Sequence, residues 1–450
     1  MANPTVSAPL AALQLRFAII DLSGEIRVVD QDQIQRLLSG TELGDPSFYK
    51  RADAELLMKR AIEALPYQCK PRQVLDEFWT SPATIAYRAT AFTPEPTPAS
   101  TLNFWVGPPP LAKAGNWVLL RDFLLNVICA GNTSSFDYLV RFMAHMIQRP
   151  EEKPGVMITL LGGQGTGKGV YFSLLRAIWP RTTLQASNIE QITGRFNACL
   201  ERNFIICMDE ALFAGDRRAM DSLKSIITES MLQIEQKFQP TRTIRSVHRL
   251  FASSNHSHFG NIELDDRRFV FLRVSDAKQQ DTTYFGEIVA AINDPTTISA
   301  LLYYLQRKNL NSFDVRRKPN TSEHLSQKLK SLQGFDRFWY EVLETGYLNG
   351  TGKDFALQDD QWNAAVFVPT SVLVDRYKEF NKTAQRHQTV QAAEVAAAIQ
   401  KLCPSAQPDR QIWKPSGVTS GSQKRGLKLP DLAIARSEFE RVIGGKVPWE

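Results

Sequence analysis

"LLGGQGTGKGVYFSLLRAIW", residues 160–179, joins the end of an apolar strand to an amphipathic helix through a glycine-rich loop. Upstream, "GVMITLLGG" (155–163) has the apolar run of a buried strand, and "GKGVYFSLLRAIW" (167–179) is the helix it feeds. A loop in that context turns successive backbone N–H groups inward, and the helix N-terminus adds the positive end of its dipole. Gly162, Gly167 and Lys168 fit the phosphate-binding pattern G-x-x-x-x-G-K-[ST], with Lys168 set against the β- and γ-phosphates. The pattern breaks at Gly169, where a Ser or Thr hydroxyl normally touches magnesium. Because Mg²⁺ keeps several waters and takes few protein ligands, a water can fill that place. Gly169 therefore reads as a weakened ligand set, not a dead site. The expected nucleotide-binding residues are Gly162, Gly163, Gln164, Gly165, Thr166, Gly167, Lys168 and Gly169, with ATP and Mg²⁺ bound.

A working phosphate loop needs acidic partners, and "RNFIICMDEA" (202–211) supplies an apolar strand ending in Asp209 and Glu210. Asp209 is the metal candidate, and Glu210 is placed to polarise an attacking water. A solvated acidic pair at a strand end is the bland alternative. "VHRLFASSN" (247–255) is a further strand, ending in Asn255, which suits a contact to the γ-phosphate or the lytic water. His256 and His258 follow with no third ligand in view, so they read as loop histidines. "DDRRFVFLRV" (265–274) sets Arg267 and Arg268 before another strand. An arginine there can stabilise phosphoryl charge in a neighbouring subunit, Arg268 before Arg267; the alternative is an ion pair with Asp265 or Asp266.

The rest of the chain bounds this reading. Its 450 residues predict two to four domains, and 22% charged residues with 43% hydrophobic is the balance of a soluble globular protein. No apolar run reaches the roughly 20 residues of a membrane span, and the N-terminus lacks a secretory signal. The five scattered cysteines have no C-x-x-C pair, which points to a reducing, cytoplasmic compartment without structural zinc. Net charge +6 permits a polyanionic partner. Residues 1–100 alternate strand and helix patterns as an N-terminal α+β domain, and no metal-ligand constellation is visible there. "FTPEPTPAS" (92–100) and "GPPP" (107–110) read as a linker or an ordered surface strap. Residues 101–150 read as a helical segment with Ser134 or Ser135 as N-cap, and 151–330 as the ATPase domain. In 331–450, two helices, a Gly/Ser/Lys hairpin and a final helix suggest a winged-helix-like domain. Its wing carries Lys414, Lys424, Arg425 and Lys428, suited to duplex DNA phosphates or to protein docking.

The ordered series "GGQGTGKG", "GRFN" (194–197), "IICMDEA", "FASSN" and "DDRRF" resembles the superfamily 3 helicases, AAA+-type ring motors of viruses, phages and plasmids. The likeness is closest to the poxvirus- and phage-type branch, whose members are often fused to primase-polymerases. The resemblance implies an α/β fold with an AAA+-type P-loop core, a homo-hexameric ring, 3′-to-5′ movement on single-stranded DNA, and a primase or polymerase partner. It also implies an ATP site shared between chains, with Lys168, Asp209, Glu210 and Asn255 from one subunit and Arg268 from the next. In that family a hairpin before the sensor strand grips DNA. By position Lys237 and Phe238 match its cation and ring, with Arg242 and Arg245 adding charge nearby. An ordinary exposed hairpin is the alternative. The resulting expectation is an ATP-dependent replicative DNA helicase of a phage or other mobile element, with origin duplex contacted through the C-terminal domain. The alternatives are a nucleotide-switched DNA-binding or loading ATPase that does not unwind, and a small-molecule phosphotransferase, for which no acceptor signature is seen.

Overall fold

The computed structural model describes residues 8–449 apart from 23, 40, 43–45, 67–68, 109–111, 210–216, 238–240, 256–258, 260–261, 264–265, 320, 347–361, 363, 384–390 and 414–419. The chain divides into two units, Met1–His256 with Arg267–Pro319, and Ser257–Asp266 with Asn320–Glu450.

The first unit is built on a five-stranded sheet. Across it run Phe269–Arg273, Met157–Leu161, Arg249–Ser254, Ile205–Asp209 and Thr183–Ala186, every neighbouring pair parallel. Met157–Leu161 and Arg249–Ser254 are buried along their whole length, as strands of a parallel sheet covered on both faces must be. Register aligns Leu161 with Ser254, and Ser253 with Asp209, so these strand ends share one carboxyl edge. The chain leaves Met157–Leu161 toward Thr183–Ala186 at one margin, and leaves its neighbour Arg249–Ser254 toward Phe269–Arg273 at the other. Adjacent strands whose connections depart in opposite directions open a crevice at their carboxyl ends, the usual ligand position in such sheets.

Aromatic side chains hold the covering helices. The Phe251 ring on the middle strand lies 5.7 Å from Phe142 of the helix Thr133–Gln148 and 5.9 Å from Tyr171 of the helix Lys168–Ile178. The N-cap of Thr133–Gln148 is Asn132, whose side chain accepts from Ser135 N at 2.8 Å; it is neither serine read from the sequence. The segment before it differs from a plain α-helix as well. Val118–Asp122 is α-helical, but Phe123–Ile128 widens to a π-helix. Val127 O there accepts from Ser275 N at 2.8 Å, so the widened turn bonds the chain leaving the Phe269–Arg273 strand.

Of the Pro-rich stretch, residues 92–100 form an ordered strap, while Pro109 and Pro110 lie outside the described residues. Asn103 holds Thr93 through both its amide groups, and Trp105 packs edge-on against Trp179 and Phe204 at 5.8 and 5.0 Å. Further upstream, the antiparallel pair Phe17–Leu22 and Glu25–Asp30 sends Ala18, Ile20 and Val29 into the same core as the central sheet.

The second unit has its own core around Trp339, Leu343, Ile399 and Phe439. Its helices include Gly334–Thr345, Thr370–Thr383, Ala392–Leu402 and Leu432–Ile443. The hairpin Gln407–Trp413 with Ser422–Leu429 is joined by a third strand, Val366–Pro369, which the sequence reading missed. Gly426 is where they touch: a Cβ there would sit 2.2 Å from Val368 O. Lys424, Arg425 and Lys428 are exposed on the hairpin, while Lys414 lies outside the described residues. Among the described residues no helix is long and apolar enough to cross a membrane.

Candidate functional site

Glycine geometry fixes the loop at the carboxyl edge. Gly165 and Gly167 have φ of +76° and +96°, a region that side chains other than glycine rarely occupy. A Cβ on Gly167 would lie 2.6 Å from the Phe285 ring and 3.3 Å from Phe123, so two aromatic residues from helices outside the loop form its floor. Thr166 is buried and ties the loop to itself, its hydroxyl donating to Gly163 O at 2.8 Å. From the other side, Gln279 Nε2 donates to Gln164 O at 2.8 Å and Gln280 N to Gly165 O at 3.0 Å. Gln280 itself adopts φ +61° to make that contact, directly before Asp281 caps the next helix.

Lys168, the first residue of its helix, is buried. Its ammonium donates to Gly162 O at 2.8 Å, Gly163 O at 2.7 Å and Asn255 Oδ1 at 2.7 Å. The loop lysine and the asparagine are 87 residues apart in sequence and directly bonded in space. Asp209 ends the next strand over; its carboxylate accepts from the Ser253 hydroxyl and, at 3.4 Å, from Gln185 Nε2. Three adjacent strands thus each deliver one predicted residue to one edge. Glu210 lies outside the described residues. Gly169 is exposed, and nothing lies within 4 Å of where its Cβ would be.

The arginine pair is not part of that cluster. Arg268 precedes its strand, and its carbonyl accepts from Met157 N at 2.8 Å, which fixes it at the amino edge of the sheet. The five residues of Met157–Leu161 separate that edge from the loop by about 16 Å. Arg267 is exposed and Arg268 half-buried; Asp265 lies outside the described residues.

The hairpin Met231–Ile234 with Arg242–Arg245 forms a separate two-stranded sheet. Lys237 is exposed at its tip, and Phe238 lies outside the described residues. Arg242 faces inward, pairing with Glu201 at 2.6 Å and reaching Gln236 Oε1 at 3.1 Å. Arg245 pairs with Glu95. Both of these arginines buttress the hairpin against neighbouring segments. His256 and His258 are outside the described residues, and among those described no cluster of three or more His, Cys, Asp or Glu is placed to hold a metal.

Residues 160–268 match a family of unknown function (DUF5906). The chain is similar to the DNA primase-polymerase of Nitratiruptor phage NrS-1, with 24% identity over 271 residues. That match covers 58% of this chain and 37% of the relative, so the chain spans little more than a third of the curated protein it matches. Two apo structures of the NrS-1 C-terminal region share its fold, each with a TM-score of 0.65 at 16% identity. They cover 94% and 93% of this chain, and the chain covers 99% and 98% of them. The sequence relationship is therefore to a phage replication enzyme.

Several residues that shape the site were missed from sequence. Phe123, Gln279, Gln280 and Phe285 hold the loop, and Ser253 orients Asp209. Of these, only the QQD stretch before a helix carried a local signal, an N-cap.

Proposed function

We propose that this chain is the ATP-hydrolysing module of a phage DNA-replication protein, an AAA+-type helicase of superfamily 3 that works as a ring on single-stranded DNA. The observation that carries the proposal is the 2.7 Å bond from Lys168 to Asn255 at the switch point of the parallel sheet, with Asp209 on the adjoining strand end. Kinship with a DNA primase-polymerase supports the replication setting.

In this reading the N–H groups of Gly162–Gly169 and the helix N-terminus receive the phosphates. Lys168 exchanges loop carbonyls for β- and γ-phosphate oxygens, and Asn255 stays beside the γ-phosphate or the attacking water. Asp209 and the Ser253 hydroxyl suit a hydrated Mg²⁺, and the open space at Gly169 leaves room for a water where a hydroxyl would stand. Bound Mg²⁺ would neutralise charge on the transferring phosphoryl group. Glu210 is assigned to the lytic water. Arg268, or the more exposed Arg267, acts on the site of the next subunit, because the amino edge is too far from its own loop. Lys237 supplies the DNA contact of the hairpin. A primase or polymerase partner and origin duplex at Lys424, Arg425 and Lys428 belong to the same proposal.

The pairing of Arg242 inward onto Glu201, and of Arg245 with Glu95 at the surface, favours a second reading, a nucleotide-switched loading ATPase with a weaker channel grip. ATP turnover with and without single-stranded DNA, measured beside strand displacement, tests both. DNA-stimulated turnover with displacement is expected. Turnover without displacement selects the loader, and absence of ATP binding overturns both.

A further inference from the structure

A phosphate loop ordinarily brings its own hydroxyl to the metal, one residue after the lysine, and this loop has Gly169 there. The helix offers no replacement at that position: Gly169 is exposed, with open space where its Cβ would be. The nearest threonine and serine in sequence both donate to the backbone. Thr166 gives its proton to Gly163 O at 2.8 Å, and Ser173 gives its proton to Gly169 O at 3.2 Å. A hydroxyl has one proton to donate, so neither has one left for a carboxylate.

Asp209 is nevertheless held, and from both sides. It ends the strand Ile205–Asp209, which lies between Arg249–Ser254 and Thr183–Ala186. From the first neighbour the Ser253 hydroxyl donates to Asp209 Oδ1; from the second, Gln185 Nε2 reaches Oδ2 at 3.4 Å. The two contacts are unequal. The amide belongs to an exposed side chain and lies beyond the usual hydrogen-bond distance. Ser253 is the register partner of Asp209 and is 1% exposed. A hydroxyl bonded to a carboxylate makes a charge-assisted contact, roughly twice as strong as a neutral one. Ser253 therefore sets which way the Asp209 carboxylate points. The hydroxyl itself is shut off from solvent, so its effect on a cation passes through the half-buried Asp209. Two residues further on, Asn255 accepts from Lys168. One run of three residues thus bonds both the acidic strand and the loop lysine.

We infer that Ser253 is a positioning residue for the metal side of the site, its hydroxyl fixing Asp209 in place of the hydroxyl missing at Gly169. The inference rests on the nucleotide-site reading above and assigns the ordering of Mg²⁺ within it to the strand Arg249–Ser254 instead of the loop. Metal-binding carboxylates depend on such outer partners, whose loss costs about 10- to 100-fold in metal affinity.

The test follows ATP binding to the full chain across a Mg²⁺ titration and in EDTA, with bound Mn²⁺ counted by electron paramagnetic resonance. None of these readouts needs turnover. Ser253→Ala should raise the Mg²⁺ concentration at half-saturation roughly 10- to 100-fold and leave ATP binding in EDTA unchanged. Ser253→Cys, a weak donor of similar size, should shift the Mg²⁺ requirement in the same direction, which covers an alanine variant that folds poorly. Gly169→Ser added to Ser253→Ala should recover most of the lost Mg²⁺ affinity, a larger gain than the same change gives in the wild type. A Mg²⁺ requirement unaltered in both Ser253 variants would overturn the inference. Equal losses with Mg²⁺ and in EDTA would do the same, by making Ser253 a packing residue of the sheet. So would a double variant no better than Ser253→Ala, because the two hydroxyls would then not substitute for each other. Wild-type protein that binds no ATP under any of these conditions would sink the nucleotide-site reading as a whole; Mg²⁺-dependent binding shared equally by wild type and Ser253 variants sinks this inference alone.

Discussion

The two edges of the central sheet both carry charged residues and treat them oppositely. At the carboxyl edge Lys168, Asn255 and Asp209 gather around a loop with two left-handed glycines. At the amino edge Arg249 is fully buried, its guanidinium donating to Val247 O and Arg149 O and lying 5.0 Å from the Phe204 ring. Burial pushes Arg249 down to about 9 and Lys153 down to about 7. His248 is pushed down to about 4 by burial, against a hydrogen bond to Leu200 O that favours its charged form. The Ser246 hydroxyl links His248 to Lys153. Buried charge is thus no mark of a site here. The carboxyl edge is distinguished by backbone shape and by strand connections that leave a crevice. At the amino edge Ser246, His248 and Lys153 bond one another within the fold.

The largest expected effect would qualify this contrast, because it gives the amino edge a catalytic part in another subunit. Arg268→Ala or Arg267→Ala should lower turnover by roughly 10³ to 10⁵ while ATP binding by the subunit persists. Mixing the affected variant with Glu210→Gln chains should restore some hydrolysis, and verified mixed rings that stay inactive would argue against a shared site. Turnover assays on both arginines decide which one acts.

At the carboxyl edge, Lys168→Ala should weaken nucleotide binding by about 1.5–3 kcal/mol, since a charge-assisted contact is lost together with the bond from Lys168 to Asn255. Gly167→Ala should be at least as damaging, because its Cβ meets Phe285 at 2.6 Å in a left-handed backbone. Calorimetric titration with ATP measures both, and unchanged affinity would remove the loop from the proposal.

The amino edge should instead show itself in stability. His248 takes up its proton near pH 4 in the folded chain and near 6.5 when unfolded. The unfolded state therefore binds more protons between those values, and stability present above pH 6.5 is lost as pH falls toward 4. The loss amounts to about 3 kcal/mol. His248→Gln should flatten that part of a urea-midpoint profile; an unaltered slope would mean that other groups set the acid limit. The smallest effect belongs to Gly169→Ser. Its Cβ enters open space, so Mg²⁺-ATP affinity should match wild type or rise up to about tenfold. A large loss in the same titration would mean that glycine is required there for the loop itself.

Residues 155–179 alone specified the strand, loop and helix, because the geometry of a glycine-rich turn depends on glycines and N–H groups that are neighbours in sequence. The strand-end positions of Asp209 and Asn255 were legible for the same reason: an apolar run followed by a polar residue is a local pattern. What packs against the loop was not. Phe285 under Gly167, the Gln279–Gln280 strap, and Ser253 on Asp209 join residues 44 to 118 positions apart, and no periodicity records such pairings. The π-turn at Phe123–Ile128 has the apolar composition of an ordinary helix, and its width shows only in the hydrogen bonds it makes. Charge was the least legible property. Arg242, Arg245 and Lys237 look alike as cations of one basic hairpin, yet only the folded chain turns Arg242 inward onto Glu201, pairs the exposed Arg245 with Glu95, and leaves the exposed Lys237 without a carboxylate in the pairs described. Sequence determines which groups can carry charge. The neighbours brought in by tertiary packing decide whether that charge is paired within the fold or left facing a ligand.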